Sequence, residues 1–342
     1  MSNFLDMKAE LAQAIPGMSR IYAGTLLNRA WRVIRDASLW SFQLKDGSFS
    51  TPDSVFAGTV TVPSLPTPSI IIGDATASAA WAALTFPFIT QYQFRISDDC
   101  IYNVIAYDTT SNPPFGTLTL DRPFVDPVTT LNNNNYTLAQ IYYPAPSPTF
   151  KRWLSVQDMI DGYALRIWSS RRDLNILDPQ RQITTDPSDI LPMGPDTRPG
   201  SATLGWPMFE MWPSPNTQIS YQTWYVDRGA DLAANTDELP EPISSDVVLS
   251  KARTYAYEWA EARKDVMAAK GSGSNYAVLK KTAEDDFLAR LKTLRLLDRD
   301  TVDAYAAKIN GANGGAGWGL APFFNAQTMR SGMGWGWPAL WR

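Results

Sequence analysis

The sequence predicts an α+β protein: a helical body of N-terminal helices and a C-terminal helix hairpin, interrupted by an inserted small β-barrel or sandwich domain and followed by an extended C-terminal tail. Three observations predict it. Residues 47–150 hold two basic residues, Arg95 and Arg122, seven aspartates, and neither Lys nor Glu, whereas the wet face of a long helix is usually built from charged residues. The flanking segments place apolar residues at helical spacing. Residues 311–342 contain eight glycines, four tryptophans and two phenylalanines but only two charges, Arg330 and Arg342. Such a tail cannot build its own core, because ordering that much glycine costs too much entropy.

Residues 1–46 form the N-terminal helices, expected over 3–14 and 18–36. In the second, Gly24, Leu27, Trp31 and Ile34 fall on one face, with Arg29, Arg32, Arg35 and Asp36 around them. Within 47–150 the runs rich in Thr, Val, Ile, Tyr and Phe predict strands at Gly58–Val62, Ser69–Ile72, Gln91–Ile96, Tyr102–Tyr107, Gly116–Leu120 and Tyr136–Tyr143. Their spacing suits a small barrel or sandwich, with Trp81, Phe86, Phe88, Tyr92, Phe94, Tyr102 and Tyr107 filling its interior. Asn132–Asn135 reads as a polar loop tip.

Residues 151–310 complete the helical body. Met208–Trp212 and Thr217–Val226 flank Pro213-Ser214-Pro215-Asn216 and read as a β-hairpin over 208–226. A helix over 244–267 starts behind Pro242 with Ser244 or Ser245 as its cap, and aligns Val248, Ala252, Tyr255 and Trp259. After Gly271-Ser272-Gly273-Ser274, a second helix over 275–298 aligns Leu279, Ala283, Phe287, Leu291 and Leu294, so the two predict an antiparallel pair. The charges Arg253, Glu258, Glu261, Arg263 and Lys264 alternate in sign on the first of these helices, as on a solvated face or a subunit interface.

Much chemistry is excluded by composition. The chain of 342 residues has no histidine, which removes Ser-His-Asp and Cys-His catalysis and every imidazole-dependent metal site. A single cysteine, Cys100, excludes intrachain disulfides and Cys-ligated zinc, and reads as a small buried apolar residue. No P-loop, G-x-G-x-x-G or G-x-S-x-G motif is present. Asp98-Asp99 suits a turn better than a cation site, because neighbouring strand residues point to opposite faces. Asp98, Asp99, Asp108, Asp121 and Asp126 lie among aromatics and leave a glycosidase or carbohydrate-binding module open as an alternative, although aspartates are ordinary turn residues. Asn135-Tyr136-Thr137 matches a glycosylation sequon, but the N-terminus has no apolar signal-type segment. The net charge of −4 argues against a general nucleic-acid coat, and no run of about 18 apolar residues predicts a membrane span.

The order of the pieces carries a resemblance. Gly58-Thr59-Val60-Thr61-Val62, Tyr102-Asn103-Val104-Ile105 and Thr117-Leu118-Thr119-Leu120-Asp121-Arg122-Pro123-Phe124 lie in the insertion. Tyr142-Tyr143-Pro144 then leads to Phe150-Lys151-Arg152-Trp153, and Met211-Trp212-Pro213-Ser214-Pro215 precedes Tyr221-Gln222-Thr223-Trp224-Tyr225. Glu238-Leu239-Pro240-Glu241-Pro242 comes before the helix Val247–Arg263. This arrangement resembles the tailed-bacteriophage head-to-tail adaptors, the connector or neck proteins beneath the portal ring. It departs from that pattern at Ala145-Pro146, where an acidic–aromatic pair is expected after Pro144.

The resemblance implies a structural virion protein with no enzymatic activity, cofactor or metal. It implies assembly in the host cytoplasm and residence in the neck of the virion. The expected form is a homo-oligomeric ring of about twelve copies that joins the portal protein to tail or tail-fibre proteins. DNA passes through its channel without specific binding, which mild acidity suits, and no membrane is involved. Arg253, Glu258, Glu261 and Arg263 become candidate ring-interface residues, and Trp318, Phe323, Phe324, Trp335, Trp337 and Trp341 candidate anchors on the portal or a neighbouring subunit. A tail-tube or tail-hub subunit is the nearest alternative.

Overall fold

The computed structural model describes residues 3–63, 69–84, 91–96, 101–112, 115–124, 131–179, 181, 183, 185–197, 201–263 and 275–312. The fold is α+β, and the chain divides into two compact units, Met1–Lys45 with Val226–Arg342, and Asp46–Tyr225.

The first unit is helical. Helix α1 (Phe4–Ala14) opens with a capping box, in which Asn3 accepts from the Asp6 amide at 2.9 Å and Asp6 accepts in return from the Asn3 amide. Helix α2 (Arg20–Ala37) is capped by Ser19 and buries Gly24, Leu27, Trp31 and Ile34 on the expected face. Helices α5 (Ser245–Glu261) and α6 (Tyr276–Ala312) pack on each other and share one apolar core with α1 and α2. Their ion pairs fix the direction: Asp246–Arg290, Lys251–Glu284 and Glu258–Lys280 run up one helix and down the other, so the pair is antiparallel as expected. Helix α6 continues past the expected end at 298 as far as Ala312. Ala283, Phe287, Leu291 and Leu294 are buried in it, but Leu279 is exposed and Tyr276 takes the place in the core. The segment before α5 is held to α2: Asp231 pairs with Arg32 and Arg35, and the Asn28 side chain bonds both the amide and the carbonyl of Leu232.

In the second unit, strands β2 (Val60–Val62), β3 (Ile70–Gly73), β4 (Tyr92–Arg95), β5 (Tyr102–Asn112), β6 (Phe115–Leu120), β7 (Leu131–Asn134) and β8 (Thr137–Gln140) form one antiparallel sheet in the order β7-β2-β3-β6-β5-β4-β8. Its edge strands β7 and β8 are separated in sequence only by Asn135 and Tyr136. That connection spans at most about 11 Å, whereas six flat interstrand spacings span about 29 Å. The sheet is therefore curled into a half-barrel, and the isolated bridge between Val55 and Leu138 ties β8 to the chain entering β2.

One element inside this segment departs from the all-β expectation. Helix α3 (Ala75–Ala83) plugs the half-barrel with Trp81, which is fully buried. Its outer face is alanine and threonine, so it needs no Lys or Glu. Of the aromatics expected inside, Trp81, Tyr92, Phe94 and Tyr102 are buried and Tyr107 packs against them; Phe86 and Phe88 lie outside the described residues, as do Cys100, Asp98, Asp99 and Asp126. Asn132–Asn134 belong to β7 instead of forming a loop tip.

Asp74 caps α3. One carboxylate oxygen accepts from the Ala77 amide at 2.7 Å and the other from the Thr59 amide and hydroxyl, each at 2.9 Å. These bonds, the Ala77 amide foremost, hold its carboxyl below the usual range. Gly58 sits beside the cap at φ +82°, where a Cβ would lie 2.4 Å from the Ala77 nitrogen. Because its folded-state pKa is depressed, Asp74 contributes stability above its unfolded value of about 4 and loses it as pH falls through the lower folded value. Asp74→Ala is expected to cost about 1 kcal/mol at pH 7 and less at pH 3. Urea unfolding at the two pH values checks this, and an equal cost at both would refute it.

The rest of the second unit extends beyond the expected boundary at 150. Strands β9 (Tyr142–Pro144), β11 (Arg166–Ile167), β12 (Asp189–Pro195) and β13 (Pro207–Trp212) form a sheet in the order β11-β12-β13-β9, followed along the chain by β14 (Ser220–Asp227), which pairs with β1 (Leu44–Ser50) and β10 (Phe150–Asp158). Short helix α4 (Arg172–Leu177) precedes β12. Tyr143, Val156, Ile190, Phe209, Met211 and Tyr221 share one core with Phe49, so 151–225 belongs to the second compact unit and not, as expected, to the remainder of the helical one. The expected 208–226 hairpin is also corrected: both strands form, but in different sheets. Pro213 and Pro215 between them have no N–H to donate, the Ser214 amide donates to the Ile183 carbonyl, and the Gln218 amide donates to Asp53.

Candidate functional site

The helical surface comes first, because the sequence placed its candidate residues there. Arg253 pairs with Glu10 at 2.5 Å, Glu258 with Lys280 at 3.7 Å, and the Arg263 guanidinium lies 4.4 Å from the Trp259 ring centroid. Glu261 is also engaged within the chain. These charges thus already have partners of their own chain. Trp318, Phe323, Phe324, Trp335, Trp337 and Trp341 lie outside the described residues.

Sequence reasoning missed the exposed apolar side chains of α6. Val278, Leu288, Leu296 and Leu297 are exposed, Leu297 at 68%. Val278 and Leu296 stand about five turns apart on one line of the helix, on the side away from Phe287 and Leu291. The signal was present in Leu296-Leu297, which fall out of register with the 283/287/291/294 face. On α2, Ile21 is likewise exposed, at 86%.

A second candidate is a polar cavity of about 290 Å³ inside the β unit. Strand pairing places Gln93 of β4 opposite Asn103 of β5, and Tyr142 of β9 opposite Glu210 of β13. The cavity is lined by Gln93, Asn103 and Tyr142, by Asp121 and Arg122 after β6, and by Arg171, Asn175 and Arg181 around α4. Behind it Glu210 is fully buried, although it stands in the apolar run Met208–Trp212. One of its oxygens accepts from Arg181 Nε at 2.5 Å, and the other faces Arg171 Nη2 at 2.7 Å. Arg181 also donates to the Asp178 carbonyl and, at 2.6 Å, to Asn175 Oδ1. Its backbone is held at φ +56°, an uncommon conformation for a side-chain-bearing residue; the guanidinium bonds offset that strain. Burial pushes the Tyr142 phenol up, Glu210 adds to the effect, and Arg171 offsets part of it.

No group of three or more potential metal-ligating side chains occurs among the described residues, and no helix among them is long and apolar enough to cross a membrane. No protein-family model matches the chain, and no curated protein shows significant similarity to it.

Proposed function

We propose that the chain is a structural subunit of a phage head-to-tail adaptor, a ring that joins the portal to the tail around the DNA exit channel. The observation that supports this best is the pair Val278 and Leu296, exposed on one line of α6 away from its buried face, with Leu288 and Leu297 exposed on its two flanks. A second copy of the chain covers such side chains in a ring. Arg253, Glu258, Glu261 and Arg263 are the candidate ring-interface charges, and Trp318, Phe323, Phe324, Trp335, Trp337 and Trp341 supply the aromatic anchors for the portal. In this reading the role is architectural and not catalytic, and the place of action is the virion neck.

Native mass spectrometry of the chain mixed with its portal ring tests the reading. About twelve added copies are expected. Leu296→Asp combined with Leu297→Asp should abolish that addition while leaving helical circular dichroism intact, because both side chains are exposed in the single chain. A parent chain that stays monomeric beside the portal, or a double variant that assembles like the parent, would overturn it.

A further inference from the structure

The polar cavity of the β unit plays no part in the adaptor reading, and its hydrogen-bond accounting has a direction. Asp121 at its wall and Glu210 behind it both already face partners. Glu210 is ion-paired with Arg181 and Arg171, although its Oε2 has no well-formed hydrogen bond. Asp121 accepts from the Asn103 amide at 3.1 Å and from its side-chain nitrogen at 2.8 Å. The cations are not used up. An arginine carries five N–H donors, yet Arg171 Nε is buried with no hydrogen-bond partner. Arg122, exposed at the rim, places Nη2 on the Ile101 carbonyl at 2.8 Å. Among these residues three guanidiniums face two carboxylates, so the wall carries about one net positive charge. The spare capacity is therefore donor capacity beside positive charge.

We infer that this cavity binds a small oxyanion, a phosphate or a carboxylate, held by Arg171 and Arg122. Planar guanidinium forks match such anions in shape as well as charge. The volume of about 290 Å³ lies at the small end of the range of ligand pockets, which suits inorganic phosphate or a short dicarboxylate. Arg181 plays a different part: its donors are committed to Glu210, Asp178 and Asn175, so it fixes the wall against which Arg171 is positioned.

Isothermal titration calorimetry of the full chain with inorganic phosphate, and separately with succinate, tests the inference in buffers matched for ionic strength with chloride. Saturable binding of at least one anion at one site per chain is expected. Arg122→Gln and Arg171→Gln should each weaken it at least about tenfold, and Arg20→Gln, on the helical unit, should leave it unchanged. Arg122→Gln removes no partner of Glu210, so it decides the question even if Arg171→Gln fails to fold. Absence of saturable heat from the folded parent with both anions, or parental affinity in Arg122→Gln, overturns the proposal.

Discussion

Glu210→Ala is expected to destabilise the β unit by about 3–5 kcal/mol. The cost does not come from the loss of an attractive pair alone. Arg181 is nearly as buried as the carboxylate it faces, with side-chain exposures of 6% and 0%. Removing the carboxylate leaves a desolvated guanidinium with only the Asp178 carbonyl and Asn175 to hold it. Arg171 loses its ion pair at the same moment. The positive-φ backbone at Arg181 then has less holding it in place. Glu210→Gln keeps the shape and one acceptor, so a smaller loss is expected. The contrast is with Arg299 and Asp303, an exposed i,i+4 pair at 3.4 Å on α6, where Asp303→Ala should change stability by less than about 0.5 kcal/mol. In a unit of this size the Glu210→Ala loss lowers the melting temperature by about 10 °C or more. Differential scanning calorimetry of the three variants checks the order, and a Glu210→Ala melt within about 2 °C of the parent would show that the buried triad contributes nothing.

All six expected runs of the β segment contain strand, because each is a short run rich in β-branched and aromatic residues bounded by turn residues, whereas β7, whose sequence is Leu131-Asn132-Asn133-Asn134, carried no such signal. Helices α1, α2, α5 and α6 were legible from their apolar faces. What escaped was governed by partners distant in sequence. Met208–Trp212 and Thr217–Val226 look like two arms of a hairpin, but each finds a better surface elsewhere: β13 between β12 and β9, and β14 between β1 and β10. Helix α3 was hidden by a compositional argument that holds only for helices with a charged wet face. Its start was nonetheless written in Asp74, an N-cap residue followed by an alanine-rich run. The cavity was unreadable because its lining comes from segments as far apart as Gln93 and Arg181. One local clue existed: a glutamate amid Met208, Phe209, Met211 and Trp212 has to be buried on a strand, and a buried carboxylate requires a cation.

Trp81→Ala should cost a comparable amount, about 3–5 kcal/mol, and it tests how the half-barrel is closed. The indole is fully buried, edge-on to Tyr136 with centroids 5.6 Å apart at 78°, and to Tyr107 at 6.3 Å and 88°. Such edge-to-face contacts add to the burial of a large apolar surface. With the indole gone, α3 holds the curled sheet chiefly through Ala77, Ser78 and the Asp74 cap, and the cavity left behind is too large for those short side chains to fill. The packing is tight from the other side as well: a Cβ at Gly73 would lie 2.7 Å from the Trp81 ring and 3.1 Å from the Ala77 methyl. Gly73→Ala is therefore expected to destabilise the parent, because the six-membered ring is rigid and enclosed. In the Trp81→Ala background the same methyl enters vacated space and should cost much less, so the two substitutions couple by about 1 kcal/mol or more. Urea unfolding of the four members of this cycle measures the coupling. Additive costs would mean that Gly73 is required for its backbone alone, and that the indole does not set how closely β3 approaches α3.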